Sequence, residues 1–306
     1  MHRRFRTKQV QLKYDQLGTQ HGRFYSDTMF SSVKSTQGNT MGQIFVNDIG
    51  FTRFMPMKMK SEAGYALSEF IQDVGIPASL HTDDAKELTL GTWRKTRLDH
   101  AIKQTLTEPH SPWQNRAEGA IRELKRHVQR LMNRSKTPKR LWDYCSCYAA
   151  EIRSLTAQPL YSLHGRTPYE LVTGNTPDVS EYLEFDWYQP VWYLEMNAFP
   201  EDKRLLGRWI GVAHRIGQAM CYWILPESGS PIARTTIQAL TVDELATNEI
   251  QQAVKTYDES IQAKIGDSIL EDELPELPQG MMHPQDEEEE DDGAIFEPFA
   301  PSQILS

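Results

Sequence analysis

Short runs of alternating apolar and polar residues dominate the start of the chain after a basic, polar lead-in over residues 1–20. RFYSDTMF, from Arg23, reads as a strand, GNTMGQIFVNDIG as a second behind a Gly-Asn turn, and FTRFMPMKMK, with Phe51, Phe54 and Met57, as a third. Turns this short predict an antiparallel meander. The period then changes. SEAGYALSEFIQDVG carries Ala63, Leu67, Phe70, Ile71 and Val74 at helical spacing and stops at Gly75 and Pro77. ASLHTDD is a short strand ending in acid, residues 86–103 are helical or mixed, and QTLTEP reads as a fifth strand. After the irregular loop HSPWQNR comes a strong amphipathic helix, AEGAIRELKRHVQRLMNR, with Ile121, Leu124, Val128 and Leu131 as its apolar stripe. A further helix is expected over about residues 138–155.

The order of three strands, helix, strand, helix, strand, helix predicts an α/β fold with a mixed five-stranded sheet flanked by helices. Residues 21–156 form this first domain and 157–184 a loop-rich linker, in which TPYELVTGNTP makes a short helical turn. WYQPVWYLE, RWIGVAHR, MCYWILPESG and PIARTTIQAL are aromatic or β-branched runs split by turns, so residues 185–240 are expected to form a small β-barrel or sandwich. Residues 241–306 read as an acidic, mostly disordered tail, with room for a helix over 241–265.

Charge sharpens this division. The net charge of −9 hides a strong asymmetry, because residues 241–306 hold 18 acidic and 2 basic side chains, which leaves +7 on the first 240. A basic body with an acidic tail is common in proteins that bind nucleic acid. It also describes a plain basic domain with a solvated tail. Three cysteines, Cys145, Cys147 and Cys221, cannot close a disulfide set and read as buried structural thiols in a reducing compartment. No run of apolar residues is long enough for a membrane span, and the basic start lacks the apolar stretch of a secretory signal. A membrane partner is therefore not expected.

Three acids stand where chemistry would use them. Asp27 lies within the first strand, Asp83 ends the fourth, and Glu118 opens the amphipathic helix. An unpaired carboxylate in an apolar strand is costly, and a shared divalent cation offsets that cost. Taken singly, each acid reads more readily as a turn former, a cap or a complement to the helix dipole. Asp84 and Glu87 compete with Asp83, and Asp48 with Asp27. Arg122 and Lys125 follow Glu118 by four and seven residues and share its helix face, suited to DNA phosphates or to a simple Glu–Arg pair. Arg126, Arg130 and Arg134 widen the basic surface.

Four blocks together resemble the integrase region of copia-type long-terminal-repeat retrotransposons: FYSDTMF, LHTDDAKEL, SPWQNRAEGAIRELKR and RTPYELVTGNTP, over roughly residues 20–240. The resemblance implies an RNase H-like catalytic core. It implies Asp27, Asp83 and Glu118 as catalytic carboxylates that bind Mg²⁺ or Mn²⁺, with the alignment of Leu80 and Glu87 selecting Asp83 over Asp84. It implies DNA contacts from Gln114, Asn115, Arg116, Arg122 and Lys125. The implied reactions are trimming of element DNA ends and their transfer into target DNA, without a covalent protein intermediate or a small-molecule substrate. A homo-oligomer is implied, assembled in the cytoplasm or nucleus and acting in the nucleus.

The sequence also departs from the family. Between Asp83 and Glu118 lie 34 residues, one fewer than is common, and the segment before Glu118 lacks the usual glycine. The upstream His/Cys zinc segment and the protease and reverse transcriptase regions of the larger polyprotein are missing. Hence a second expectation stands beside the first: a decayed or repurposed fragment that binds nucleic acid without catalysis.

Overall fold

The computed structural model describes residues 22–108, 115–195, 203–216 and 219–266. The polar lead-in, Gln114 and the chain beyond residue 266 lie outside the described residues. The first sheet is built from β1 (Arg23–Phe30), β2 (Met41–Asn47), β3 (Thr52–Met57), β4 (Ser79–Thr82) and β5 (Lys103–Leu106). Their order is β3-β2-β1-β4-β5. β1, β2 and β3 pair antiparallel as a meander, while β4 and β5 join parallel to β1. This is the expected mixed five-stranded sheet.

Alternation along the strands supplies two buried faces. Phe24, Phe45, Met55, Met57 and Leu80 pack with Ala63, Leu67, Phe70 and Ile71 of α1 (Ala63–Asp73). Leu88 of α2 (Lys86–Thr89) and Trp93 of α3 (Gly91–Asp99) complete that side. On the other face Tyr25, Met29, Ile44, Val46 and Phe54 meet α4 (Arg116–Ser135) and α5 (Trp142–Leu155). The RTPYELVTGNTP block contains α6 (Pro168–Thr173), opened by a capping box between Thr167 and Glu170.

The α1–α3 crossing depends on one glycine. A Cβ at Gly64 would lie 2.5 Å from the Trp93 backbone nitrogen and 2.6 Å from the Thr92 carbonyl carbon. Backbone cannot yield as a flexible side chain can. Gly64→Ala is therefore expected to cost about 1–3 kcal/mol through overpacking, read as a lowered urea midpoint at unchanged slope.

The α4 stripe is broader than the expected one. Ala117, Ala120, Leu124, Val128 and Met132 are buried, whereas Ile121 and Leu131 are only half-buried. Ile121 and Leu131 pack against the same cluster, so the expected stripe is present and is widened by Ala117, Ala120 and Met132.

The second sheet corrects the expectation of a barrel. It comprises β6 (Pro190–Glu195), β7 (Lys203–Val212), β8 (Tyr222–Pro226), β9 (Ile232–Arg234) and β10 (Ile237–Ala239), in the order β10-β6-β7-β8-β9 and antiparallel throughout. β9 and β10 follow one another in the chain but stand at opposite edges without a ladder between them. At three residues each they carry few hydrogen bonds, so the sheet does not close. One face, with Ile210, Trp223 and Leu225, joins the α4–α5 cluster. The other holds Phe185, Tyr193, Trp209, Tyr222 and Ile224.

At the start of the acidic tail, where residues 241–265 left room for a helix, the chain is helical. Residues beyond 241 form α7 (Val242–Ala246) and α8 (Asn248–Ile265). α8 buries Tyr257, Ile261 and Ile265, four residues apart, in the α4–α5 cluster. Arg208 grips Asp258 through two hydrogen bonds, Nε–Oδ1 at 3.1 Å and Nη2–Oδ2 at 2.5 Å. Apolar burial at helical spacing outweighs the acidic composition that suggested disorder. Among the described residues, no helix is long and apolar enough to cross a membrane.

Candidate metal centre and nucleic-acid interface

Asp27 points to the α4 side of the sheet, in phase with Tyr25 and Met29 and across from Ile44 on β2. That apolar setting is costly for a charge. Burial, opposed by a 2.7 Å hydrogen bond from the Thr28 N–H, is the main cause that pushes its carboxyl up to about 6; the charges of Asp83, Glu118 and Glu87 add to it.

The ladder explains why Asp83 is near. Parallel pairing of β1 with β4 ends at Ser26↔Thr82, so Asp27 and Asp83 are the next residues on adjacent strands, about 5 Å apart in the hydrogen-bonding direction. Asp83 is in phase with His81, whose partner Tyr25 lies on the α4 side. Asp84 follows in the opposite phase and is exposed.

Glu118 arrives from the third direction. Asn115 caps α4, its Oδ1 accepting from the Ala117 N–H at 3.0 Å, and its Nδ2 donates to Asp83 Oδ1 at 3.2 Å. Glu118 is in the first turn, where the positive end of the helix dipole faces the acids. Partial burial and then the Asp83 charge raise its carboxyl, against the opposing pull of Arg122. β1, the end of β4 and the start of α4 thus bring the three acids within electrostatic reach of one another.

A fourth acid, Glu87 on α2, also acts on Asp27, but it pairs with Lys60 at 3.2 Å. Asp48 is exposed in the β2–β3 turn, at the far end of β2 from the residues opposite Asp27's C-terminal neighbours, and its carbonyl accepts from Arg116 at 3.3 Å.

Mutually repelling carboxylate oxygens are the donor set that a hard divalent cation takes, so the chemistry fits Mg²⁺ or Mn²⁺. A closed cage is not preformed: among the described residues no three His, Cys, Asp or Glu side chains are gathered tightly enough to hold one ion.

Beyond Glu118, Arg122, Lys125, Arg126, Arg130 and Arg134 are all exposed on α4. Arg116 is exposed too and lies over the Tyr25 ring at 6.0 Å. Asn115 is different, being 2% exposed with both ends of its amide engaged inside the protein. Ser26 is fully buried, donates to the Ile44 carbonyl and accepts from Gln43, which removes it as a nucleophile. Cys145 and Cys221 are buried, Cys147 is half-buried, and none of the three is in a disulfide among the described residues.

A separate cleft of about 280 Å³ lies between the α1/α5 region and the β7–β8 connection, and none of the three acids lines it. His214 sits there, 3.2 Å from Glu151, while Arg215 holds Glu69 at 2.9 Å and Asp73 at 3.0 Å. Sequence reading missed this clasp, because its charges are far apart in the chain.

No family model and no curated protein matches the chain. Similar solved structures include a simian T-cell lymphotropic virus intasome in complex with the PP2A regulatory subunit B56 gamma. Its TM-score is 0.43 at 15% identity, covering 72% of this chain and 78% of that one. The catalytic core domain of BIV integrase gives 0.39 at 18% identity, covering 51% and 94%. The HTLV-2 integrase catalytic core domain, in complex with magnesium in a trimeric form, gives 0.38 at 15% identity, covering 49% and 95%.

Proposed function

We propose that this chain is a metal-dependent polynucleotidyl transferase of the copia-type integrase kind, with an RNase H-like catalytic part over residues 21–156. The observation that carries the reading is the convergence of Asp27, Asp83 and Glu118 from β1, the end of β4 and the start of α4. Asp27 and Asp83 would hold Mg²⁺ or Mn²⁺ from adjacent strands, and Glu118 would complete the oxygen set from the helix. When bound, such ions activate the attacking hydroxyl and stabilise the leaving oxygen in phosphoryl transfer. The protein's own share is to fix the acids on a rigid sheet and to bind the DNA backbone. Arg122 and Lys125 supply cations to DNA phosphates along the exposed face that continues from Glu118. The substrates are element-end DNA and target duplex, handled by a homo-oligomer in the nucleus.

The test is incubation of the full chain with element-end duplex in Mg²⁺ or Mn²⁺, with EDTA as control. Nicked and joined products are expected with metal only. Glu118→Gln should lower the rate by at least about 10³-fold, since metal-assisted charge stabilisation is worth several kcal/mol.

One observation favours a second reading. Arg122, Lys125, Arg126, Arg130 and Arg134, all exposed on α4, can bind DNA phosphates with no metal present, as suits a repurposed chain that binds nucleic acid without catalysis. Salt-sensitive DNA binding with no metal-dependent product would establish that reading instead.

A further inference from the structure

Asn115 occupies a position with unusual geometric demands. An amide side chain offers an acceptor at one end and donors at the other. The Asn115 oxygen accepts from the Ala117 N–H at 3.0 Å, which anchors the first turn of α4. Its Nδ2 reaches across 32 positions of chain to Asp83 Oδ1 at 3.2 Å. Its carbonyl accepts from the Glu118 N–H at 3.3 Å. One residue therefore touches the Asp83 carboxylate and the backbone of Glu118 at once.

The surroundings hold that link rigid. Asn115 is 2% exposed and Ala117 is fully buried, so the first turn cannot slide along the sheet. Serine would serve as well at the cap, but it is too short to reach Asp83. Aspartate would keep the cap and set a second carboxylate against Asp83. Only an amide of this length meets both demands. A side chain with both ends engaged has little left for DNA, the role that resemblance implies for it.

We propose that Asn115 is a positioning residue that fixes Asp83 relative to Glu118, rather than a DNA contact. The proposal rests on reading those acids as metal-binding.

Two measurements on the full chain test it. The first is Mn²⁺ affinity by electron paramagnetic resonance. Asn115→Ser should weaken Mn²⁺ binding about 10–100-fold, as loss of a residue that orients a ligand does, with the melting temperature nearly unchanged because the cap survives. An Asn115 that served only as the cap would leave the affinity unchanged in Asn115→Ser, because serine keeps the cap. The second measurement needs no metal: hydrogen exchange of the Asn115 side-chain amide by NMR. Exchange should be slow in the wild type and at least about tenfold faster in Asp83→Ala if the amide is held by that carboxylate.

Asp83→Asn separates the two readings. If it abolishes Mn²⁺ binding while Asn115→Ser changes nothing, the positioning role is overturned and the metal site stands. If Asp83→Asn leaves binding intact, the metal reading falls, and the exchange experiment still decides whether Asn115 holds Asp83. Fast wild-type exchange would overturn that contact outright.

Discussion

Asp27→Asn is expected to make the metal-free protein more stable near pH 7 while abolishing DNA joining. The folded protein raises this carboxyl from an ordinary 3.8 to about 6, mainly through burial. A raised value means that folding favours the protonated form. The contribution is complete below about pH 3.8 and is lost as pH rises through about 6. At pH 7 the ionised group therefore weighs against folding by an amount on the order of 3 kcal/mol. Asparagine is neutral, nearly isosteric, and can still accept the Thr28 N–H. Thermal unfolding in EDTA should show Asp27→Asn melting about 5–10 °C above the wild type at pH 7.5, with the gap closing towards pH 4. An equal or lower melting temperature at pH 7.5 would contradict this account of the site. The same substitution removes a proposed metal ligand, so joining should fall by at least about 10³-fold. Stability gained as activity is lost distinguishes a working acid from an ordinary structural one.

The second large effect concerns DNA affinity. Arg122 and Lys125 are exposed on the face that continues from Glu118. If each meets one phosphate, the double substitution Arg122→Gln/Lys125→Gln lowers the slope of log affinity against log salt by about 2 and weakens binding about 50-fold at 0.1 M salt. Melting should hardly move, because exposed substitutions usually change stability by less than about 0.5 kcal/mol. Fluorescence anisotropy across a salt series reads both quantities. An unchanged slope would move the DNA path to another surface.

Elements with a strong period are legible in the sequence. β1 shows it through Phe24 and Tyr25, which alternate between the two cores, and α4 through Leu124 and Val128. The packed side of α4 is broader than its legible stripe, because alanine looks indifferent in a hydrophobicity pattern. Ala117 and Ala120 are nevertheless buried in the cluster that α4 shares with the sheet. α8 is legible only as room for a helix and its packing is not, since Tyr257, Ile261 and Ile265 are few among many charges. Barrel closure was not legible either. It depends on whether β9 and β10 pair, and strands of three residues carry too little pattern to say.

The candidate site divides in the same way. Asp27 and Glu118 could be singled out from their setting in a strand and at a helix start. The preference for Asp83 over Asp84 came from resemblance alone. The fold adds a physical ground, the β1–β4 register that sets position 83 beside position 27. The contact between Asn115 and Asp83 joins two distant segments, and no local spacing announces it.

The most direct test of the central claim compares two neighbouring acids. Asp83→Asn and Asp84→Asn remove the same charge one residue apart, on opposite phases of the chain leaving β4. In a strand-transfer assay with element-end DNA and Mn²⁺, Asp84→Asn should retain most wild-type activity and Asp83→Asn should show none. Full activity in Asp83→Asn, or its loss in Asp84→Asn alone, would contradict the assignment.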